Sequence, residues 1–306
     1  MRIHFRYRTL TKGLTLSLAF TACAAVAGAQ QAPGSAPTQA DMYCSGVVDS
    51  KPVPGDTYVI SGENARYKTT FFANDLVYIN RGGENGVKVG DQFDVVRPVN
   101  TELWDGGDRP LASFRAGTTW FKYQDMLSRA MGTNYEDIGR LRVIHVDAKT
   151  SIAEIALGCH YMERGDLVRP FVPRPTPSFH SVSLDPFAPP SGKKTAMVVT
   201  SKDYAVLAGA GRIAYVNLGS AQGVRVGDYF RVFRYQGTRI ETEYQPKNMS
   251  YKAYGFGSTP VAYEWNNLPR QVLGEGIVLR LGTNSATVLL TSVRFEIYAG
   301  DYVELE

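Results

Sequence analysis

Hydrophobic and polar residues alternate with a period of two along residues 87–95. The apolar parity carries Val87, Val89, Phe93 and Val95, opposite polar residues at 88, 92 and 94. This alternation is typical of a β-strand with one buried face. The pattern returns in residues 224–232, which predicts a second strand of the same kind.

The alternating stretch belongs to a longer internal repeat. Residues 78–97 and 215–234 are identical at eleven of twenty positions, and a looser match joins 138–168 to 273–303. Self-similarity on this scale indicates two copies of one structural unit. Short strands separated by turn residues favour a small barrel or sandwich for each copy. We therefore predict a mainly β fold with two tandem β-barrel-like domains, at 43–171 and 195–306.

Glycine and aspartate residues in the repeat predict its turns. Glycine tolerates the positive φ angles of tight turns, and an aspartate side chain can accept a backbone N–H two residues further on. We assign these roles to Gly82, Gly86, Gly90 and Asp91 and to their counterparts Gly219, Gly223, Gly227 and Asp228. The repeat thus specifies a fold twice and carries no reactive site of its own.

Three segments outside the repeat have compositions that argue against a packed domain. Residues 1–29 combine a basic start, an apolar stretch and small residues before position 30, as a secretory signal peptide does. Thr21-Ala22-Cys23 offers the alternative of a lipoprotein site with a lipid anchor at Cys23. The polar residues 30–42 predict a disordered tether. Seven of the sixteen prolines lie in 170–194 and predict an extended linker over 172–194.

Removal of the signal peptide changes the charge of the chain. The full sequence has 33 basic and 29 acidic residues, and four basic residues lie in 1–29, so 33 minus 4 leaves 29 of each sign. A formal charge of zero gives no electrostatic reason to expect nucleic acid as a partner. We expect a periplasmic or secreted protein without a transmembrane segment after cleavage, or an outer-membrane lipoprotein if Cys23 is lipidated.

Two cysteines, Cys44 and Cys159, lie beyond the predicted signal peptide. An even pair in an exported protein is most simply a disulfide. The bond would close a loop of about 115 residues, and the chain-entropy estimate for such a loop is roughly 3–5 kcal/mol of stabilisation.

Cys159 is also the one residue that suggests an enzyme. A thiolate needs a neighbouring imidazole as its base, and His145 and His160 are near in sequence. The stretch ALGCHYM resembles, over a few residues, the nucleophile loop of L,D-transpeptidases, although the Ser, Arg and His-Gly of that family are absent. The repeat places Cys159 and His145 opposite Arg294 and Arg280, so we predict no catalytic residue and keep this enzyme as a remote alternative.

Neither a cofactor nor a metal site is expected. The glycine pattern GAGRIA at 209–214 leads into a predicted strand, whereas a dinucleotide site requires a helix there. His145 and Asp147 share a strand face, but no further ligands with zinc or iron spacing accompany them.

The two copies differ most in the insertions between their matching halves, at 99–137 and 236–272. Residues 120–132 predict a short helix with Phe121, Met126 and Leu127 facing inward, and 241–269 predict a loop rich in Tyr and Gly. Aromatic residues here suit a protein interface or a sugar ring, or they simply pack across strands. The candidate binding residues are Trp120, Phe121, Tyr123, Tyr251, Tyr254, Tyr263 and Trp265.

The repeated pattern Y-[IV]-N-x-G-x-x-x-G-V-x-V-G-D-x-F-x-V-x-R resembles the small β-barrel domain at the C-terminus of flagellar assembly protein T. Related barrels occur in envelope proteins that carry LysM domains. The resemblance covers 78–97 and 215–234 and implies an envelope-associated domain used for assembly and contact, without catalysis. We therefore expect a non-enzymatic scaffold or adaptor whose partners are envelope proteins, with a peptidoglycan or glycan binder as the alternative.

Overall fold

The computed structural model describes residues 36–99, 126–181, 183–205, 207–235 and 269–306. The predicted signal peptide at 1–29, Cys23 and most of the two insertions lie outside these ranges. None of the helices within them has the length and hydropathy that a membrane-spanning helix needs.

Strands dominate the described residues, and one helix, α1 (Gln39–Tyr43), precedes them. The first nine strands are β1 (Val47–Asp49), β2 (Val59–Gly62), β3 (Thr70–Phe71), β4 (Leu76–Ile79), β5 (Gln92–Val99), β6 (Thr133–Val146), β7 (Ser151–Gly158), β8 (Met162–Glu163) and β9 (Leu167–Pro170). The remaining eight are β10 (Thr195–Ser201), β11 (Leu207–Ala208), β12 (Ile213–Val216), β13 (Tyr229–Arg234), β14 (Gln271–Leu281), β15 (Ala286–Val293), β16 (Ile297–Tyr298) and β17 (Tyr302–Leu305).

The N-terminal strands form a seven-stranded antiparallel sheet in the order β2-β4-β7-β6-β5-β9, with β1 also paired to β6. The sheet curves around an apolar core that includes Phe71, Ile79 and Leu141. Its edge strands approach each other, because the Val59 amide donates to the Asp166 carbonyl and the Val168 amide to the Thr57 carbonyl, each at 2.9 Å.

The C-terminal strands close into a barrel in the order β10-β12-β15-β14-β13-β17. Phe230, Val232 and Leu273 fill its interior. The prediction of a mainly β chain is therefore confirmed, and one closed six-stranded barrel is present.

The strand order of the sheet matches that of the barrel position by position. The short ladder β3-β8 of the sheet likewise has its equivalent in the ladder β11-β16. Arg97 binds Asp166 through two hydrogen bonds of 2.7 and 2.8 Å, and Arg234 binds Asp301 through two of the same lengths. The arginine that ends the repeated stretch thus anchors the closing Gly-Asp turn in both places.

The predicted turn glycines divide into two kinds. Gly86, Gly90, Gly223 and Gly227 have φ between 79° and 93°, as expected for left-handed turn positions. Gly82 and Gly219 have φ near −137°, so the prediction of a positive φ is wrong for them. They are glycine for a different reason, since a Cβ at Gly82 would overlap the Asp147 carbonyl, and a Cβ at Gly219 would overlap the Ser285 amide.

The aspartates lock the repeated turns in the opposite direction from the one predicted. Asp91 Oδ2 accepts the Lys88 amide at 2.9 Å, three residues before it and not two after it. Asp228 accepts the Arg225 amide at 2.8 Å in the same way. The chain therefore turns before β5 and β13 begin. For that reason Val89 is 66% exposed, although alternation placed it on the buried face.

Two predicted features near the N-terminal half differ from the structure. Residues 39–42 of the predicted tether belong to α1, because Thr38 and Asp41 form a reciprocal capping box and Met42 is buried. Residues 126–131 are helical, as predicted, but Met126 is 54% exposed while Leu127 packs inward. Phe121 lies outside the described residues.

The described part of the proline-rich segment 172–194 contacts the barrel. Its described residues contain no strand or helix, and they run along the barrel surface. The His180 amide donates to Tyr229 Oη, and the Pro186 carbonyl accepts the Val272 amide, both at 2.9 Å. The sheet and the barrel meet directly, because Asp137 of β6 accepts hydrogen bonds from Arg280 of β14.

Candidate functional site

The junction of sheet and barrel is built on residues 42–49, which we call the strap. β1 of the strap pairs with β6 of the sheet, while its backbone carbonyls accept hydrogen bonds from the barrel. Tyr215 Oη donates to the Ser45 carbonyl at 2.8 Å, Thr287 Oγ1 donates to the Gly46 carbonyl at 3.2 Å, and Ser285 Oγ donates to the Val48 carbonyl. Burial raises the pKa of Tyr215, so its hydroxyl stays a donor.

Apolar side chains surround these hydrogen bonds. Met42, Val48 and Met131 pack against barrel residues that include Ile277 and Leu279. These barrel residues point outward from the barrel, and contact with the sheet and strap buries them. The outer face of the barrel is therefore apolar where it meets the sheet and strap, and the hydrophobic effect favours this contact.

A buried ion pair crosses the same junction. Arg280 Nη1 of the barrel lies 3.0 Å from Oδ1 and 2.7 Å from Oδ2 of Asp137 on β6. The Gly46 amide of the strap donates to the same carboxylate at 2.8 Å. Burial by itself would raise the pKa of Asp137, but Arg280, Arg174 and the Gly46 amide hold it below its usual range. The carboxylate is therefore charged in the folded protein.

The linker adds a second arginine to this cluster. Arg174 Nη2 lies 2.9 Å from Asp94 Oδ2 and 3.4 Å from Asp137 Oδ1, and Nη1 donates to the Met42 carbonyl at 2.8 Å. Burial raises the pKa of Asp94, and Arg174 opposes this. Sheet, strap, linker and barrel thus share one buried network, which fixes their mutual orientation.

The disulfide between Cys44 and Cys159 ties the strap to the sheet. A β-bulge at Ile138 places Cys159, because the Ile138 carbonyl accepts the amides of both Cys159 and His160, at 2.9 and 3.1 Å. The barrel has the same bulge at Leu273, whose carbonyl accepts the amides of Arg294 and Phe295. A bulge redirects the neighbouring side chains, and in the sheet it points them toward the junction.

Glu136, His160 and Asp203 meet beside the disulfide. His160 Nε2 lies 3.1 Å from Glu136 Oε1, and one ligand atom of each of the three residues lies within 4.8 Å of the others. Among the described residues, none makes a hydrogen bond to the buried His160 Nε2. Tyr204 is near, and burial raises the pKa of its hydroxyl.

A pocket of about 360 Å³ lies against strands β5, β6 and β7. Arg140 lines it, and its guanidinium carbon stacks 3.8 Å from the Phe171 ring centroid and 4.1 Å from that of Tyr43. Arg142, also in the lining, is bound to Glu154 at 2.5 Å. The pocket therefore presents one stacked cation and one ion pair.

The structure places only some of the predicted site residues. Cys44 and Cys159 are bonded as predicted, whereas His145 contacts Asp147 at 3.2 Å on the surface. The candidate binding residues Trp120, Phe121, Tyr123, Tyr251, Tyr254, Tyr263 and Trp265 lie outside the described residues.

Sequence reasoning missed the junction itself. Asp137, Arg280 and Tyr215 read as ordinary strand residues, and Tyr215 even belongs to the repeat. One available signal was asymmetry between the copies, because Arg280 stands where the first copy has His145, and Asp137 stands where the second has Val272. No known protein family matches the sequence, and no curated protein matches it at a significant level.

Proposed function

We propose that this protein is an exported, non-enzymatic scaffold or adaptor of the bacterial cell envelope, built from a duplicated small β-barrel. It contacts envelope proteins or peptidoglycan through the insertions between β5 and β6 and between β13 and β14. The observation that carries the proposal is the buried junction between sheet and barrel, because a network that joins two β units also sets the spacing of the insertions they display.

The connectivity of the strands supports the role of the insertions. The first insertion joins β5 to β6, and the second joins β13 to β14, which occupy equivalent positions in the strand order. Val99 pairs with Asn134 where the first leaves the sheet, and Arg234 pairs with Gln271 where the second leaves the barrel. Variable insertions on a repeated scaffold are common sites of specific binding.

The state of Cys159 supports a role other than catalysis. Its sulfur is bonded to Cys44, so it is not available as a thiolate nucleophile, which the transpeptidase alternative requires. A disulfide also agrees with export to an oxidising compartment. A thiol assay of the unreduced, denatured protein should detect no free Cys44 or Cys159.

Photo-crosslinking in cells tests the proposed contacts. A photoreactive residue at Trp120 or Trp265 of the full chain should give adducts of defined mass with envelope components. The matched control positions are Val89 and Val226, which are 66% and 46% exposed on the repeated turns and do not belong to the insertions. Mass spectrometry of the adducts identifies protein partners.

Binding to purified peptidoglycan sacculi separates the two classes of partner. Retention that falls in Trp120→Ala or Trp265→Ala would assign the insertions to peptidoglycan. The proposal fails if Val89 and Val226 give the same adducts as the insertion positions. It also fails if the insertions give no adduct and the sacculi retain no protein.

A further inference from the structure

We propose that Glu136, His160 and Asp203 form a binding site for a divalent transition-metal ion that links the sheet to the barrel. Glu136 lies on β6, His160 follows the Cys159 disulfide, and Asp203 lies on the short 3₁₀ turn Lys202–Tyr204 after β10. The inference rests on the geometry of these side chains and does not depend on the proposed function.

The three side chains have the donor set of a transition-metal site. An imidazole nitrogen with two carboxylate oxygens suits Zn²⁺ and related divalent ions. The ligand atoms lie within 4.8 Å of one another, and a shared ion with bonds of about 2.0–2.2 Å would draw them closer together. The side chain of Asp203 is 53% exposed, so it is free to make that adjustment.

The polar groups around the cluster lie close enough together to share an ion. His160 Nε2 is itself buried, although 32% of the side chain is exposed, and within the described residues its 3.1 Å contact with Glu136 Oε1 lacks the geometry of a hydrogen bond. Asn134 Oδ1 is buried without a hydrogen-bond partner among the residues that the structure describes, and Asn134 Nδ2 donates to Tyr204 Oη at 3.2 Å. Native proteins rarely leave buried polar atoms unsatisfied, and a bound ion is one way to satisfy them.

The charges of the two carboxylates also favour a bound cation. Two carboxylates within 4.8 Å of each other repel when both are charged. Lys202 Nζ is 3.9 Å from Asp203 and relieves part of this repulsion on the solvent side. A divalent cation between Glu136 and Asp203 would turn the repulsion into attraction across the junction. The ion would thus act as a second crosslink beside the disulfide.

Titration with ZnCl₂ tests the site in the oxidised, full-length mature chain after treatment with a chelator. Isothermal titration calorimetry should show one Zn²⁺ per chain. Loss of one protein ligand should weaken binding at least about tenfold, since even the loss of an outer-shell partner costs 10–100-fold. The variants are His160→Asn and Asp203→Asn.

The control variants distinguish a loss of metal binding from a loss of folding. His145→Asn removes an imidazole from the other His–Asp contact, which is on the surface at 3.2 Å, and should leave the titration unchanged. Asp203 has φ of 58°, an angle that Asn tolerates well, so Asp203→Asn should fold normally. If His160→Asn does not fold, the affinity of Asp203→Asn for Zn²⁺ tests the site. The proposal is overturned if wild type gives no stoichiometric binding, if Asp203→Asn binds as tightly as wild type, or if His145→Asn abolishes binding.

Discussion

Replacing Arg280 with Met should destabilise the whole protein, because it leaves the Asp137 carboxylate buried without its main partner. Only 12% of the Arg280 side chain and 3% of the Asp137 side chain are exposed. Breaking a buried ion pair from one side costs about 3–5 kcal/mol. Arg174 and the Gly46 amide still face the carboxylate at 3.4 and 2.8 Å, so we expect the lower end of that range, about 3 kcal/mol.

Urea denaturation of the oxidised protein, followed by circular dichroism, measures the effect. With an m-value of about 3 kcal/mol/M, a loss of this size lowers the midpoint by about 1 M. The double variant Asp137→Asn, Arg280→Met should recover at least half of the loss, because the buried charge is then gone. The matched control is Arg142→Met, which removes an ion pair whose arginine side chain is 56% exposed and should cost less than about 1 kcal/mol.

Two results would refute this reasoning. One is an Arg280→Met protein within about 1 kcal/mol of wild type, which would mean that the ion pair does not hold the junction. The other is a double variant as unstable as the single one, since the penalty would then not come from the uncompensated charge of Asp137. Because the folded-state pKa of Asp137 is depressed, its stabilising contribution is present above the unfolded pKa near 4 and is lost as pH falls below it.

Two further predictions concern the barrel and the repeated turns. Burial and the neighbouring Glu306 raise the pKa of Glu275 to about 8 from 4.5, so stability should fall as pH rises from about 4.5 to 8. Glu275→Gln should flatten the pH profile of the melting temperature and gain about 2–5 kcal/mol at pH 8.5; profiles that run parallel would contradict this. Gly82→Ala should lower the free energy of unfolding, measured by urea denaturation, by about 3 kcal/mol, because the added Cβ overlaps backbone atoms. Gly86→Ala places its Cβ in space free of the described atoms, so it should lower the free energy of unfolding by only about 1 kcal/mol, because of the positive φ. A larger loss for Gly86→Ala than for Gly82→Ala would disprove the packing explanation.

Most of the fold prediction came from the internal repeat, because its signals act between residues close in sequence. Alternating apolar positions and glycine turns are local signals, and they appear twice in the same order. The positive φ of Gly86 and Gly223 and the burial of Phe93 and Phe230 follow from those signals. The pairing of Cys44 with Cys159 could also be predicted, because the predicted mature chain offers no other pair.

Predictions from local sequence patterns were wrong where a contact between residues distant in sequence determines the conformation. Gly82 looked like a turn glycine, but its constraint is the Asp147 carbonyl, 65 residues away in sequence (147 minus 82). Val89 kept the strand alternation yet lies on a turn that the Asp91 side chain closes. The composition of residues 30–42 indicated disorder, but Met42 is buried against the barrel, which supplies the apolar contact that the segment itself lacks.

The amino-acid sequence by itself determined two β units, their turns, the disulfide and the two places where the copies differ. Only the tertiary structure decided that the units meet, that Asp137 finds Arg280 143 residues away, and that Glu136, His160 and Asp203 converge. The reason is that periodicity and turn chemistry act between near neighbours, whereas an ion pair or a ligand set depends on which faces come together. Burial of the strap between sheet and barrel determines which faces meet, and no local sequence pattern predicts this.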